Sequence, residues 1–453
     1  MFRLALSSLR HRVGGFAASF LNVFLGAALL MAFASLLDTA GGAGVSHDDK
    51  NSLTTIAYVV GGWGVVVVAF GVAATLGLSV RQRASEIALL KSAGATPKQV
   101  GRMVVGEATV VSGLAAALAV VPAYFAGRLL LTALTHAHEV ADGITYKFGP
   151  MALAFGLGDA FVAGCVAAAI AARRAARQST KDALVSASAD DSRLSRKRIV
   201  WGLIFLVVGV DAGVLSGTVF KNKGFVSMSL AGEGIVWTSI ALAVFAPALL
   251  RRAGLVFGQP LRATGGSGGY LAYLNLRQRS NHLAGALMPA VLLTGLAAGS
   301  MYLQRIRTLA LKATGVTQTA DDRGVNTLNF VIVAMIAVFA AVALLNIAIT
   351  TTAFRRREFG QQRLVGSTRG QVLRMVAMES LVTGLTALVL GTVAAVAGVL
   401  PFTLGTKGAS IGSAGPLIYV VVAAAVLVLT LVANVGAAAR ATRVPAAEAV
   451  AAV

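Results

Sequence analysis

The sequence predicts an all-α, polytopic membrane protein of about ten transmembrane helices, laid out as two parallel four-helix repeats with a linking helix pair between them. Three observations predict it. Hydrophobic residues fill 57% of the 453 positions and charged residues only 13%; a soluble globular chain carries roughly 45–50% and about 25%, so this chain lacks the polar surface to coat itself with water. Apolar runs recur at the length a bilayer demands. A 25-residue polar segment between two such runs occurs twice.

A hydrocarbon core of about 30 Å takes roughly 20 apolar residues of helix. Stretches near 13–37, 54–80, 104–134, 151–172, 199–215, 235–250, 283–303, 328–352, 378–400 and 417–438 meet or approach that length, the fifth and sixth being short. Basic residues should be in excess on the cytoplasmic side. With the N-terminus inside, 29 of the 39 Lys and Arg fall in inner segments and 9 in outer loops, while Arg128 lies within the third span. The bias predicts both termini in the cytoplasm. It also accounts for the net charge of +21 without a nucleic-acid partner. The first stretch, at about 25 apolar residues, exceeds a signal-peptide core and is retained as a span. Cys165 is the single Cys, which excludes an intrachain disulfide, a Cys-based zinc site and an iron–sulfur cluster.

The internal repeat carries the most information. The segment from Arg83 to Glu107 recurs without a gap from Arg355 to Glu379, every identity offset by 272 positions: Arg83/Arg355, Glu86/Glu358, Gly94/Gly366, Thr96/Thr368, Gln99/Gln371, Arg102/Arg374, Met103/Met375 and Glu107/Glu379. Low complexity matches Ala and Val by chance, but not these types in fixed order. Weaker echoes flank it: Leu9-Arg10-His11-Arg12 resembles Leu276-Arg277-Gln278-Arg279, and Arg174 to Arg177 with Asp182 resembles Arg440 to Arg443 with Glu448. The division expected is 1–177 for the first repeat, 178–269 for a linker with spans five and six, and 270–453 for the second repeat. Six spans precede the second copy, so the repeats are parallel and an inverted-repeat transporter is disfavoured. Within the linker, 178–198 and the Gly-rich 258–269 read as cytoplasmic connections.

Physically, the repeated segment is a helical elbow. The second span continues through Ile87 and Leu90 with no breaker until Gly94, which suits a left-handed C′ residue. Thr96 then reads as an N-cap, Pro97 as the first helical position, and Thr96 with Gln99 as a capping box. Gly366, Thr368 and Gln371 repeat the same stop and start. Any inner loop must turn, and basic residues there obey topology. Yet a turn that merely connects two spans tolerates change, whereas two copies keeping Glu86/Glu358, Lys91/Arg363 and Arg102/Arg374 imply a surface that meets something. Two equivalent elbows suggest two copies of one soluble partner.

The stretch from Glu86 to Gln99, its diverged partner from Glu358 to Gln371, and the four-span layout around each resemble the FtsX-like, or MacB-type, permeases of ABC transporters. The resemblance covers most of the chain except spans five and six, and the ten-span layout looks like that of antimicrobial-peptide and lipoprotein-type permeases. It implies a multi-pass protein of a bacterial cell membrane, driven by a separate cytoplasmic ABC ATPase, likewise in two copies. The elbows are then the ATPase-coupling sites, carried by Arg83, Glu86, Lys91, Gly94, Thr96, Gln99 and Arg102 in one copy and Arg355, Glu358, Arg363, Gly366, Thr368, Gln371 and Arg374 in the other. The chain has no Gly-x-x-x-x-Gly-Lys-Ser/Thr loop, so it is not expected to be an enzyme; no cofactor is expected to bind it directly, ATP acting through the partner. Family members often carry a large extracytoplasmic domain after the first span of a unit, but here 38–53 and 304–327 leave no room for one. The implied function is export or extraction of an amphipathic lipid or peptide antibiotic. The alternatives are ATP-driven mechanotransmission without cargo and, lower, ion-coupled secondary transport.

Arg128, Asp159 and Asp211 are ionisable groups at membrane depth and hence functional candidates. A proton relay would need them. The plainer reading is a structural ion pair between Asp159 and Arg128, with Asp211 near the interface. His136, His138, Glu139 and Asp142 have the chemistry of a weak metal site but read as exposed loop residues, and no metal is expected. Gly295 and Gly299 form a Gly-x-x-x-Gly spacing that permits close helix approach, a spacing that arises easily among 50 Gly.

Overall fold

The computed structural model describes residues 13–82, 87, 89–90, 92–136, 140–177, 195–221, 223, 225–278, 280–315 and 320–451. Regular structure among them is entirely helical, without strands: α1 (Val13–Ala40), α2 (His47–Gln82), α3 (Pro97–His136), α4 (Pro150–Arg177), α5 (Arg196–Gly217), α6 (Phe225–Thr264), α7 (Gly266–Gln278), α8 (Ser280–Leu283), a 3₁₀ turn (Ala284–Ala286), α9 (Leu287–Ala313), α10 (Ala320–Leu364), α11 (Arg369–Gly405), α12 (Ile411–Ala414), α13 (Leu417–Ala441) and α14 (Ala446–Ala451). Each of the ten apolar stretches falls on helix. Seven helical stretches among the described residues are long and apolar enough to cross a membrane: Ser19–Ala40, Lys98–His136, Arg196–Gly217, Val226–Ala263, Ala284–Ala313, Arg369–Gly405 and Leu417–Ala441. The remaining three expected spans lie on α2, α4 and α10.

The chain divides into two compact units, residues 1–189 with 318–335, and residues 190–317 with 336–453. In the first, α1 packs on α2, α3 and α4, and α4 packs on α2 and α3. The end of this unit where α1 meets α4 is held by side-chain bonds. Asp38, at the end of α1, accepts hydrogen bonds from the backbone N–H of Gly149, Met151 and Ala152 at 2.8–3.1 Å, and so caps α4 across more than 100 residues. Thr39 exchanges bonds with the backbone of Lys147, and the Tyr146 hydroxyl donates to Ser35. Burial raises the pKa of Tyr146.

The expected ion pair in this unit is not formed. Arg128 lies exposed on the outward face of α3, alongside exposed Leu118, Val121, Phe125 and Leu129. Asp159 lies half-buried on α4, beside the inward stripe of Ala152, Gly156 and Gly164, and its Oδ2 is enclosed without a hydrogen-bond partner. The reason is rotational phase: each residue reads as polar at a similar depth, but they sit on helix faces that point apart. Asp211 is exposed on α5.

In the second unit, α6 and α11 pack on one another, on α9 and on α5, and α11 also packs on α13. Spans five and six are thus built into this bundle rather than strung beside it. The contact surface of α5 is the stripe Gly209, Gly213 and Gly217. A Cβ at Gly213 would lie 2.3 Å from the Ala397 carbonyl oxygen, and one at Gly217 would lie 2.0 Å from that of Pro401. Backbone therefore meets backbone, the packing that membrane helices use when lipid offers no hydrophobic drive. Gly295 and Gly299 of α9 instead make room for side chains of α6, those of Ser239 and Ile235.

The run 258–269 departs from the expected linker. Helix α6 continues through Pro260 to Thr264, and after a break at Gly265 α7 begins at Gly266 (φ +60°). Its glycines serve close approach: a Cβ at Gly269 would lie 2.1 Å from the Leu261 carbonyl oxygen, and Gly268 lies against the backbone of Gln371 and Met375 on α11.

Gly213→Leu is expected to lower unfolding stability by about 1–3 kcal/mol through overpacking, whereas Val207→Leu on the exposed face of α5 leaves it unchanged. Thermal melting of the detergent-solubilised protein reads both.

Candidate functional site

The two repeated segments form the same elbow, atom for atom where both are described. At the second, α10 runs to Leu364 and Gly366 takes φ +110°. The Ser367 N–H donates to the Gln362 carbonyl at 3.0 Å and the Gly366 N–H to that of Arg363 at 3.1 Å. This is the Schellman arrangement that closes a helix C-terminus. Two residues on, the Gln371 N–H donates to Thr368 Oγ1 at 3.2 Å and the Thr368 N–H to Gln371 Oε1 at 2.8 Å, a complete capping box that starts α11. At the first elbow, Gly94 has φ +94°, the Ala95 N–H donates to the Leu90 carbonyl at 2.9 Å, and Thr96 and Gln99 exchange bonds of 3.3 and 2.8 Å. Each bond is the counterpart of one 272 positions away. Between the two helices the chain turns within four residues, with the end of one helix and the start of the next both capped.

The outer surface of each turn is open. Leu364 and Val365 are exposed at the tip of the second, with Arg369 and Arg374 beside them; Leu89 and Leu90 are exposed at the first, with Lys98 and Arg102. Apolar tips flanked by cations are unusual for a solvent-facing turn. The inner surfaces match too. Phe359, Val372, Met375 and Val376 form a buried cluster with Ala272 and Ala438, and Ile87, Val100 and Val104, at the same offset from Phe359, Val372 and Val376, form one in the first copy.

Three of the expected coupling residues, Arg355, Glu358 and Arg363, are bonded within the chain, as is Arg369, to which the sequence assigned no such role. Arg363 Nη1 donates to the carbonyls of Thr442 and Val444 at 3.1 and 2.7 Å, and Arg369 donates to Thr442 Oγ1 and the Ala439 carbonyl. Arg369 thus satisfies an orphan carbonyl in the last turn of α13 and Arg363 two carbonyls just beyond it, where a cation also suits the helix dipole. Glu358 lies 3.5 Å from Arg355, one turn back. Arg355 in turn grips Glu379 with both terminal nitrogens and stacks over the Phe359 ring at 5.0 Å. Burial opposes the Arg355 charge, but the Glu379 and Glu358 carboxylates together more than offset this and raise the guanidinium's pKa. Arg83, Glu86 and Lys91 lie outside the described residues, as do His138 and Glu139; His136 and Asp142 are exposed. No group of three His, Cys, Asp or Glu among the described residues is placed to hold a metal.

Sequence reasoning quoted Glu107 and Glu379 as part of the repeat but assigned them no role. Both are buried to 2% exposure, and Asn275 of α7 donates to Glu379 Oε1 at 2.6 Å. The signal was available: an identical Glu inside the apolar start of a span, twice.

An all-helical, multi-pass bundle bearing two identical reversals defines a membrane protein of the permease type. The pattern of the FtsX-like permease C-terminal family matches the chain twice, over residues 58–180 and 330–446, each match containing one elbow and the two together covering more than half of the chain. The chain belongs to the FtsX-like permease family. No curated protein matches it.

Thr368→Val is expected to cost about 1 kcal/mol through the lost cap, and Gly366→Ala about 1–2 kcal/mol through the left-handed backbone alone, since nothing lies within 4 Å of the added Cβ. Denaturant titration in detergent checks both, with Val365→Ala as the neutral control. For the buried pair, Arg355→Met alone should cost about 3–5 kcal/mol, and Arg355→Met with Glu379→Leu should recover most of it, because a lone buried carboxylate is worse than none. A double-mutant cycle measures that coupling.

Proposed function

We propose that the chain is the membrane subunit of an ABC-type system, each elbow seating one cytoplasmic ATPase and passing its nucleotide-driven movement to the attached spans. The duplicated elbow carries this reading. A turn repeated with its left-handed glycine, capping box, apolar inner cluster and open apolar tip is costly to keep unless both copies meet the same rigid partner. Exposed Leu89, Leu90, Leu364 and Val365 supply the apolar contact, and Arg102 and Arg374 the flanking charge. Arg363 and Arg369 hold the turn against α13 rather than reaching outward. By the parity of ten spans both elbows are cytoplasmic, as are both termini, and the membrane is the bacterial cell membrane.

The cargo is an amphipathic molecule, a lipid or a peptide antibiotic. Among the described residues, the connections 41–46 and 406–410 are short, and 141–149 is tied down by Asp38, Thr39 and Ser35. That leaves the membrane-embedded faces as the place where cargo is met. A relay to an external hydrolase would need an outer surface of its own.

Leu89→Glu with Val365→Glu, at two exposed tips, should leave thermal melting unchanged and lower the ATP turnover of the reconstituted complex with its cognate ABC ATPase by about tenfold, as expected when a few apolar anchors dominate an interface. Turnover equal to that of the unsubstituted complex would remove the elbows as docking sites.

A further inference from the structure

Helix α7 lies directly behind the second elbow. Its Gly268 approaches the α11 backbone with no side chain between, a Cβ there falling 3.4 Å from Met375 N and 3.5 Å from the Gln371 carbonyl oxygen. Ala272, one turn on, is fully buried in the cluster of Phe359, Val372, Met375 and Val376. The next turn carries Asn275, whose amide donates to Glu379 Oε1 at 2.6 Å. The same oxygen accepts from Arg355 Nη2 at 3.1 Å, while Oε2 takes Arg355 Nη1. One carboxylate, buried to 2% exposure on α11, thus holds a donor from α7 and two from α10.

The chemistry of this joint differs from that of the apolar packing around it. Apolar faces slide past one another at little cost. A buried carboxylate does not allow it, because losing one donor leaves a desolvated charge underpaired. The bond from Asn275 therefore fixes both the rotation and the axial position of α7 against the elbow. The first copy repeats the essentials: Glu107 is equally buried, the apolar cluster of Ile87, Val100 and Val104 stands at the same offset, and the sequence places Ser8, another donor, just before Leu9 as Asn275 stands just before Leu276.

Resting on the reading of the elbow as a coupling site, we infer that Glu379 is a positioning residue that fastens α7 to the elbow, making the two one rigid lever. The lever then has three arms. Movement at the turn reaches the bundle through α10 and α11, which form the turn, and through α7, which leads by way of α8 into α9. Because α9 is packed against α6, α11 and α13, the third arm delivers displacement to the middle of the bundle rather than to its edge.

The test uses the full chain carrying Cys165→Ser, with spin labels at exposed Tyr270 on α7 and exposed Gln361 on α10, and distances measured by pulsed electron resonance, alone and in complex with the ATPase in its ADP and ATP states. A second pair, Gln361 with Leu417 at the start of α13, registers movement of the elbow itself. In the unsubstituted protein the 270–361 distance should stay a single narrow peak in both nucleotide states while the 361–417 distance shifts. With Asn275→Leu, the 361–417 shift should persist and the 270–361 peak should now shift too; Asn275→Ser, which keeps a donor, should restore invariance. A 270–361 distance that changes with nucleotide in the unsubstituted protein overturns the inference, as does one that stays invariant in Asn275→Leu. Should 361–417 fail to shift at all, the coupling reading falls instead. The inference then rests on the protein alone, where loss of the narrow 270–361 peak in Asn275→Leu supports the fastening and an unchanged peak overturns it. If Asn275→Leu does not fold, Glu379→Gln is read by the same distances.

Discussion

A helix that leaves a membrane, reverses and re-enters must not strand its backbone polar groups. Around each of the two repeated turns that constraint is met by one device: a left-handed glycine ends the first helix, the N–H after it reaching back to a carbonyl five positions earlier, and a reciprocal Thr and Gln box starts the next. Everything proposed for the chain depends on that device being stiff. Stiffness comes from the bonds that end one helix and start the next: opening the turn costs several of them at once. An elbow so closed passes on a push instead of absorbing it.

Stiffness alone would still leave the turn free to pivot on its two helices. The second elbow prevents this with two polar grips of different kinds. On one side Arg363 and Arg369 close the carbonyl end of α13. On the other the Arg355, Glu379 and Asn275 cluster pins α7. Between them lies the apolar cluster around Phe359. The polar contacts set register and the apolar contacts supply most of the burial, a division of labour that suits a joint which must move without slipping.

The elbow was legible in the sequence because its determinants are local. Gly94, Thr96 and Gln99 act on backbone within five residues, and duplication removed the ambiguity that any single turn signal carries. The apolar runs were legible for the same reason, each lying on a helix. What sequence reasoning missed was non-local. Asp38 caps a helix more than 100 positions away, and Gly213 matters only because Ala397 backbone approaches it. The glycines of 258–269 have the composition of a flexible linker, yet close packing on Leu261 and Met375 makes them part of a joint. Arg128 and Asp159 agreed in depth but not in helical phase, which low-contrast apolar helices do not reveal. Arg363 looked like a docking cation because its partner carbonyls, on Thr442 and Val444, carry no side-chain signal at all.

The central claim is that both turns meet the same kind of partner. Hydrogen–deuterium exchange on the permease, with and without its ABC ATPase, measures this directly, because amides covered by a bound protein slow while the remainder of the chain reports any global change. The account predicts slowed exchange at 93–102 and at 365–374 together, with no change at the outer segment 140–149. Slowing at neither turn, or at the outer segment alone, would contradict it.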